Sequence, residues 1–600
     1  MKLRLLLLAL ASLTFIDDIL AEPPSFISTK DGVIVFTGQR ADGKTGAVKL
    51  EVVSDNIIRV IAVPGKNIPS KQSLVTVYTK NQDLSWKIIS SKEKITLKTR
   101  ALTATVNLKS GAVSFFDSKG RKILTEKPDA GRSFEPAVFD GKRYYHITQT
   151  FQTTADDAWY GLGQHQDGIY NYRGQQVNFF QNNTEVAIPF LISSKNYGIL
   201  WDNYSLTTVG DVRPLHQLSS LELFSKKGEA GWLTASYAND KLKPGEIITE
   251  RAEACINMEF LGESKIQLPR DFMPLTGLVT WEGSIASNLS GIHQLRFIFG
   301  GSLKMWLDGN LVFEHWRKAW NPAPVLVPFI INKGEKKQIK IEWTPEGGES
   351  YISLKWQEPL SEEEQNRFSF SSEAGQLVDY YFIHGSNMDE AIAGYRLITG
   401  KAPIVPKWTL GFWQSRERYK TQDEILSTVD EFRKRKIPID NIVLDWSYWK
   451  EAEWGSQDFD DKRFPSPDSM IDALHRKYNM QIMISVWPKF YEGISTYNEF
   501  LKNGWLYKRN IADRQRDWIG KGYVSTFYDA FNADARKGFW ELINNKIYKK
   551  GIDAWWMDAS EPDILSNVDP QKRKLQMTPT ALGSAAEYLN AYPLQNAKGI

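Results

Sequence analysis

Apolar and polar residues alternate in short runs from Phe26 to about Phe224, over residues 33–37, 47–53, 57–63, 95–99 and 104–108, with Gly, Asp and Asn between the runs. Period-two alternation gives a strand one buried and one wetted face, so residues 22–227 are expected to form a large antiparallel β-sandwich. A second set of alternating strands, separated by Asp-Gly and Gly-Gly turns, fills residues 228–359; it includes Lys304-Met-Trp-Leu-Asp-Gly309, Ile339-Lys-Ile-Glu-Trp343 and Ile352-Ser-Leu-Lys-Trp356. Sandwich-type sequence resumes in Leu377-Val-Asp-Tyr-Tyr-Phe-Ile383. The second set therefore reads as a β-sandwich inserted into the first, with residues 360–400 completing the first sandwich and adding a linker helix from Met388.

The period then changes. Over residues 401–600 the chain reads strand, loop, helix, strand: a strand in Trp408-Thr-Leu-Gly-Phe-Trp-Gln414, a capping box Thr421-x-x-Glu424 opening a helix to about Arg435, and a strand in Asn441-Ile-Val-Leu-Asp-Trp446. A helix from Pro467, a strand Gln481-Ile-Met-Ile-Ser-Val-Trp487, a helix over 534–548, a strand ending at Met557 and a helix over 581–591 follow. Such alternation predicts a (β/α)8 barrel, of which these residues supply the first half. The fold class expected for the chain is thus multidomain, all-β followed by α/β.

The candidate chemistry sits where the apolar strands stop. Asp558 ends the fourth barrel strand, Asp445 the second and Trp487 the third, so all three are expected to face one pocket at the C-terminal mouth. Asp558 is the candidate nucleophile, although an Asp at a strand end also serves as a turn or cap residue. Asp445 is compatible with binding sugar hydroxyls or with a local loop contact, and Trp487, before Pro488, with a pocket wall or a plain strand end. Indole faces stack on sugar rings and equally fill cores, so the 21 tryptophans fit both a carbohydrate ligand and large cores.

Trp556-Met-Asp-Ala-Ser-Glu561 resembles the nucleophile motif of glycoside hydrolase family 31, the retaining α-glucosidases and α-xylosidases. Trp159-Tyr-Gly-Leu-Gly-Gln164 and Tyr197-Gly-Ile-Leu-Trp-Asp202 are similar to that family's N-terminal sandwich, and Phe412-Trp-Gln-Ser-Arg-Glu-Arg-Tyr419 to the first-strand segment of its bacterial xyloglucan-directed α-xylosidases. The resemblance implies that Asp558 attacks the anomeric carbon and that Asp445 hydrogen-bonds the terminal sugar. It further implies that Trp487, with Trp446 and Trp556, lines the substrate subsite. Glu561 is expected to orient the nucleophile. The stretch Gln181-Asn-Asn-Thr184 is a candidate for the sandwich loop that reaches over the pocket, and residues 228–359 resemble a protective-antigen-type module. Some members carry Lys where Trp556 stands, which is expected to remove a cation beside Asp558. The family's acid/base Asp lies tens of residues beyond the nucleophile, so it is expected beyond Ile600 and the chain is expected to be a fragment. The implied activity is release of terminal α-xylose from xyloglucan oligosaccharides. The alternatives are an α-glucosidase or α-glucosyltransferase of the same family and a non-catalytic carbohydrate-binding protein.

Composition excludes other classes. A formal charge of +3 with no basic run argues against nucleic acid as a partner. One cysteine, Cys255, and seven histidines without metal-binding spacing imply no disulfide, no metal and no cofactor. Lys2, Arg4 and the leucine run to Leu10 read as an export signal cleaved near Ala21 (residues 1–21), too short to anchor the chain in a membrane, and a periplasmic location follows.

Overall fold

The computed structural model describes residues 25–600 apart from the short segments 38–44, 80–83, 130, 166, 184, 259–266, 319–323, 347–350, 362–363 and 563–568. The expected export signal, 1–21, lies outside the described residues.

An eight-stranded and a ten-stranded sheet form the first unit, and the alternating runs are their strands, among them Gly32–Phe36, Ala47–Ser54, Ile57–Val63 and Leu102–Asn107. Their inward residues, including Val35, Leu50, Val60, Phe115, Trp201 and Phe382, make one core. The two strands that close both sheets come late in sequence: Val378–His384 lies between Ile57–Val63 and Tyr197–Trp201, while Arg367–Gly375 lies between Lys142–Gln152 and Thr207–Gly210. The first unit therefore cannot complete its sheets until residues after 360 have returned.

Between these strands, two further sheets of five and seven strands share a separate core built on Trp281, Phe297, Met305, Trp343 and Leu354. This segment begins earlier than the boundary at 228. His216–Gln217 and Glu222–Ser225 already pair with Ile352–Gln357 and Leu278–Ala286, because Leu218, Leu221 and Leu223 join the second core rather than the first. Three buried indoles keep their N–H bonded: Trp281 donates to Glu253 Oε2 at 2.7 Å, Trp343 to the Gly300 carbonyl at 2.7 Å, and Trp201 of the first core to Ser372 Oγ at 2.9 Å.

The last 200 or so residues hold a four-stranded parallel sheet in the order Trp413–Gln414, Asn441–Leu444, Gln481–Val486, Ala554–Met557, with helices in the crossovers. Helix Gln422–Lys434 is capped by Thr421, whose Oγ1 accepts from the Glu424 N–H; the Glu424 carboxylate turns back to the Lys420 N–H, one residue before the reciprocal partner expected of a capping box. The first strand is only two residues long. Residues Lys407–Leu410 form a 3-10 turn after Pro406, and Phe412 is tied to the start of the second strand, its N–H donating to Asp440 Oδ2 and its carbonyl accepting from the Asn441 N–H. The expected helix over 581–591 is a short α-turn, Ala585–Tyr588, followed by a 3-10 turn.

Asn590 fastens the last unit to the first. Its Nδ2 donates to the carbonyls of Phe179 and Ser205, and its Oδ1 accepts from the Gln181 N–H at 2.7 Å. Asn590→Ala removes three hydrogen bonds to backbone groups at this junction, and a loss of about 2–3 kcal/mol in urea-unfolding free energy is expected; a loss below about 0.5 kcal/mol would show that water replaces the amide.

Candidate active site

The parallel register decides what meets at the rim. Leu444 lies beside Ile484 and Val486 beside Met557, so the next residues, Asp445, Trp487 and Asp558, leave the sheet at the same end. The Asp558 N–H donates to the Val486 carbonyl at 3.1 Å, tying the turn to the third strand. Both aspartates sit in sharp left-handed turns: Ala559 has φ 50° and Ser447 φ 67°, conformations that cost non-glycine residues about 1–3 kcal/mol. In each turn the following N–H points at the carboxylate, Ala559 to Asp558 Oδ1 at 2.8 Å and Trp446 to Asp445 Oδ1 at 2.7 Å.

Burial pushes the Asp558 carboxyl up to about 7, against the Ala559 N–H bond; the negative charges of Glu561 and Asp445 raise it further and the Lys489 ammonium opposes them. Burial also raises Asp445. Asp558 thus feels the charges of Glu561, Asp445 and Lys489. Lys489 is 1% exposed, pairs with Asp517 at 2.5 Å and lies 3.6 Å from the Trp454 ring centroid and 4.9 Å from that of Trp487. Trp556 brings no charge to the site, and the Lys489 ammonium, three residues past the third strand, lowers Asp558 against its burial.

Aromatic rings line the rest. Trp454 stacks on Trp446 at 5.5 Å and meets Trp487 edge-on at 4.8 Å, while Arg418 lies 4.1 Å from the Trp446 ring. Trp487 Nε1 donates to Ser485 Oγ at 3.0 Å, which fixes the indole. Trp556 stands apart. It is 45% exposed on the edge strand and makes none of the ring contacts found among the described aromatics, whereas Trp555 turns the other way onto Trp540 and Tyr548. Trp454, Lys489 and Arg418 are residues that sequence reasoning missed. Two had a signal in the sequence: Lys489 lies close to the third strand end, and Arg418 lies within the segment Phe412-Trp-Gln-Ser-Arg-Glu-Arg-Tyr419.

Glu561 is half-buried, and its backbone is anchored by Arg573, which is 1% exposed. The guanidinium donates to the Glu561 carbonyl at 2.6 Å, the Gln181 carbonyl at 3.2 Å and Asn182 Oδ1 at 2.9 Å. One buried arginine thus joins the 181–182 stretch of the first unit to the loop after Asp558, so this sandwich loop does reach the site. Among the described residues no group of three or more His, Cys, Asp or Glu is arranged to hold a metal ion.

Residues 402–600 match the TIM-barrel domain of glycosyl hydrolases family 31, and residues 47–209 match the family's N-terminal galactose mutarotase-like domain. The chain carries two family 31 domains. Over 95% of its length it superposes on the crystal structure of a family 31 α-xylosidase from Xanthomonas citri, with 43% identity and a TM-score of 0.86. An α-xylosidase of Saccharolobus solfataricus is 28% identical over 92% of the chain, and an α-glucosidase of the same organism is 26% identical over 37%. The chain spans 62% of the Xanthomonas protein and 53% of the Saccharolobus α-xylosidase. These matches are to two domains of family 31, and the relatives they bring in include α-xylosidases.

The raised Asp558 has a measurable cost to stability. Between its unfolded value, 3.8, and about 7, the folded chain holds a proton that the unfolded chain has lost, so stability falls as pH rises through this window. Asp558→Asn removes that ionisation and is expected to stabilise the chain by about 2–4 kcal/mol at pH 8, with little difference at pH 4, in denaturation midpoints at the two pH values. Equal effects at both would show that Asp558 is not desolvated.

Proposed function

We propose that the chain is the nucleophile-bearing part of a retaining α-xylosidase that removes terminal α-xylose from xyloglucan oligosaccharides. The observation that carries this reading is a desolvated carboxylate, Asp558, set at a strand rim beside a second carboxylate, a buried cation and tryptophan rings. Retaining hydrolysis needs one carboxylate to attack the anomeric carbon and another carboxyl group, about 5–5.5 Å away, to protonate the leaving oxygen and later activate water. Asp558 is the attacking group. Asp445 accepts hydroxyl protons of the terminal sugar, Trp487 and Trp446 pack against its ring, and Trp556 lies at the outer margin of the subsite.

Lys489 and the positive charge that develops on the sugar ring favour the ionised nucleophile, which burial alone opposes. Glu561, whose charge raises Asp558, is a positioning residue held through Arg573. Xylose against glucose turns on one hydroxymethyl group; the α-xylosidase relatives favour xylose, and the α-glucosidase match keeps glucose as the second reading. In the same reading the 216–357 unit is an inserted protective-antigen-type module, and the leader exports the protein to the periplasm.

A 5-fluoro-xylosyl fluoride tests the nucleophile directly, because fluoride departs without a proton and only the attack step is needed. Mass spectrometry is expected to find the fluoroxylosyl group on Asp558 and none in Asp558→Asn. Below pH 7 the labelling rate rises about tenfold per pH unit and then levels; Glu561→Gln, which removes a like charge, moves the midpoint down. Labelling at another carboxylate, or none, overturns the assignment, and faster labelling by the matching glucosyl fluoride assigns the site to glucose.

A further inference from the structure

The seven-stranded sheet of the 216–357 unit has one face in the core and one open to solvent. Trp281, Ile339, Ile341 and Met305 point inward. Their neighbours in the alternation, Glu282, Lys340 and Trp306, point outward, and the pairing of Glu282 with Lys340 and of Lys340 with Trp306 sets the three in a row across three strands. This row, with Ser284 and Gln338, lines an open groove of about 520 Å³, within the range of ligand sites. The Lys340 ammonium lies 5.1 Å from the Trp306 ring centroid and bonds Glu342 at 2.8 Å, which holds the indole and neutralises the lysine.

A second indole extends the same face. On the edge strand Asn310–Lys318, Phe313 and His315 turn inward onto Phe299, while Glu314 pairs outward with Lys304 at 2.8 Å. Trp316, two residues after Glu314, shares that outward face and is 82% exposed. It lies near Ser302, whose hydroxyl bonds the Trp316 carbonyl. Ser302 is four residues from Trp306, or about 13 Å along the strand. The face therefore offers two indoles at a spacing of several sugar rings, hydroxyl-binding groups between them, and cations matched by carboxylates. An anionic ligand would find its lysines already paired; a neutral chain rich in hydroxyls fits.

We infer that this face is a carbohydrate-binding site separate from the Asp558 rim, and that it holds the backbone of a neutral polysaccharide while the rim takes a terminal sugar. The choice of xyloglucan as the polymer rests on the reading above; the site itself does not. The test is affinity electrophoresis of the whole 600-residue chain in native gels containing soluble xyloglucan. The chain is expected to be retarded, Trp306→Ala to raise the apparent dissociation constant at least tenfold, and Trp316→Ala, at a position too exposed to affect folding, to raise it severalfold. Asp445→Ala is expected to be retarded like the parent, and both tryptophan variants to be labelled at Asp558 like the parent. No retardation of the parent, unchanged retardation of both tryptophan variants, or loss of retardation in Asp445→Ala would overturn the inference. Failed labelling with retained retardation would instead count against the Asp558 assignment alone.

Discussion

Parallel pairing of Asn441–Leu444 with Gln481–Val486, and of that strand with Ala554–Met557, aligns three strand ends at one rim. Were the pairing shifted by one residue, alternation would turn Asp558 toward the helices and Trp555 toward the rim. The register is set by what lies on either side. Ile442, Val443 and Leu444, and Ile484, Ser485 and Val486, are all buried, as strands covered on both faces must be. The polar residues of the site can exist only after the last of these apolar positions.

Crowding several ionisable groups at such a rim has an electrostatic cost. Glu561 and Asp445 raise the buried Asp558, and the buried Lys489 ammonium opposes them. The cation is itself held by Asp517 and two indoles, so it cannot swing out to solvent. Strained turns at Ala559 and Ser447 add to the cost. Strain and like-charge repulsion gathered at one point are characteristic of sites organised for chemistry rather than for stability.

The β-rich units support this rim from outside. Arg573 and Asn590 bond the 179–182 and 205 backbone of the first sandwich to the loops that follow Asp558 and Ala585–Tyr588. The sandwich in turn depends on strands that arrive after residue 360, so the intervening unit, with its own core, is enclosed by chain that folds as one body on either side of it. The distal face carrying Trp306 and Trp316 is free of that structural duty.

Alternation and period were enough to read the first sandwich, the switch to a parallel sheet and the strand-end positions of Asp445, Trp487 and Asp558, because these follow from which residues must be buried. Boundaries set by long-range packing were not legible. Leu218 to Leu223 chose the second core over the first, and a 3-10 turn takes the place of the strand before Trp413. Nor were the contacts that tune the site: nothing local distinguishes Lys489 from a surface lysine, Arg573 from a helix-exposed one, or Trp454 from a core tryptophan, since each acquires its role from residues tens or hundreds of positions away. The sequence by itself determined where strands end and hence where acids can gather. Only the tertiary structure decided which cation faces them and which indoles line the rim, because charge and ring contacts depend on distances that no spacing along the chain contains.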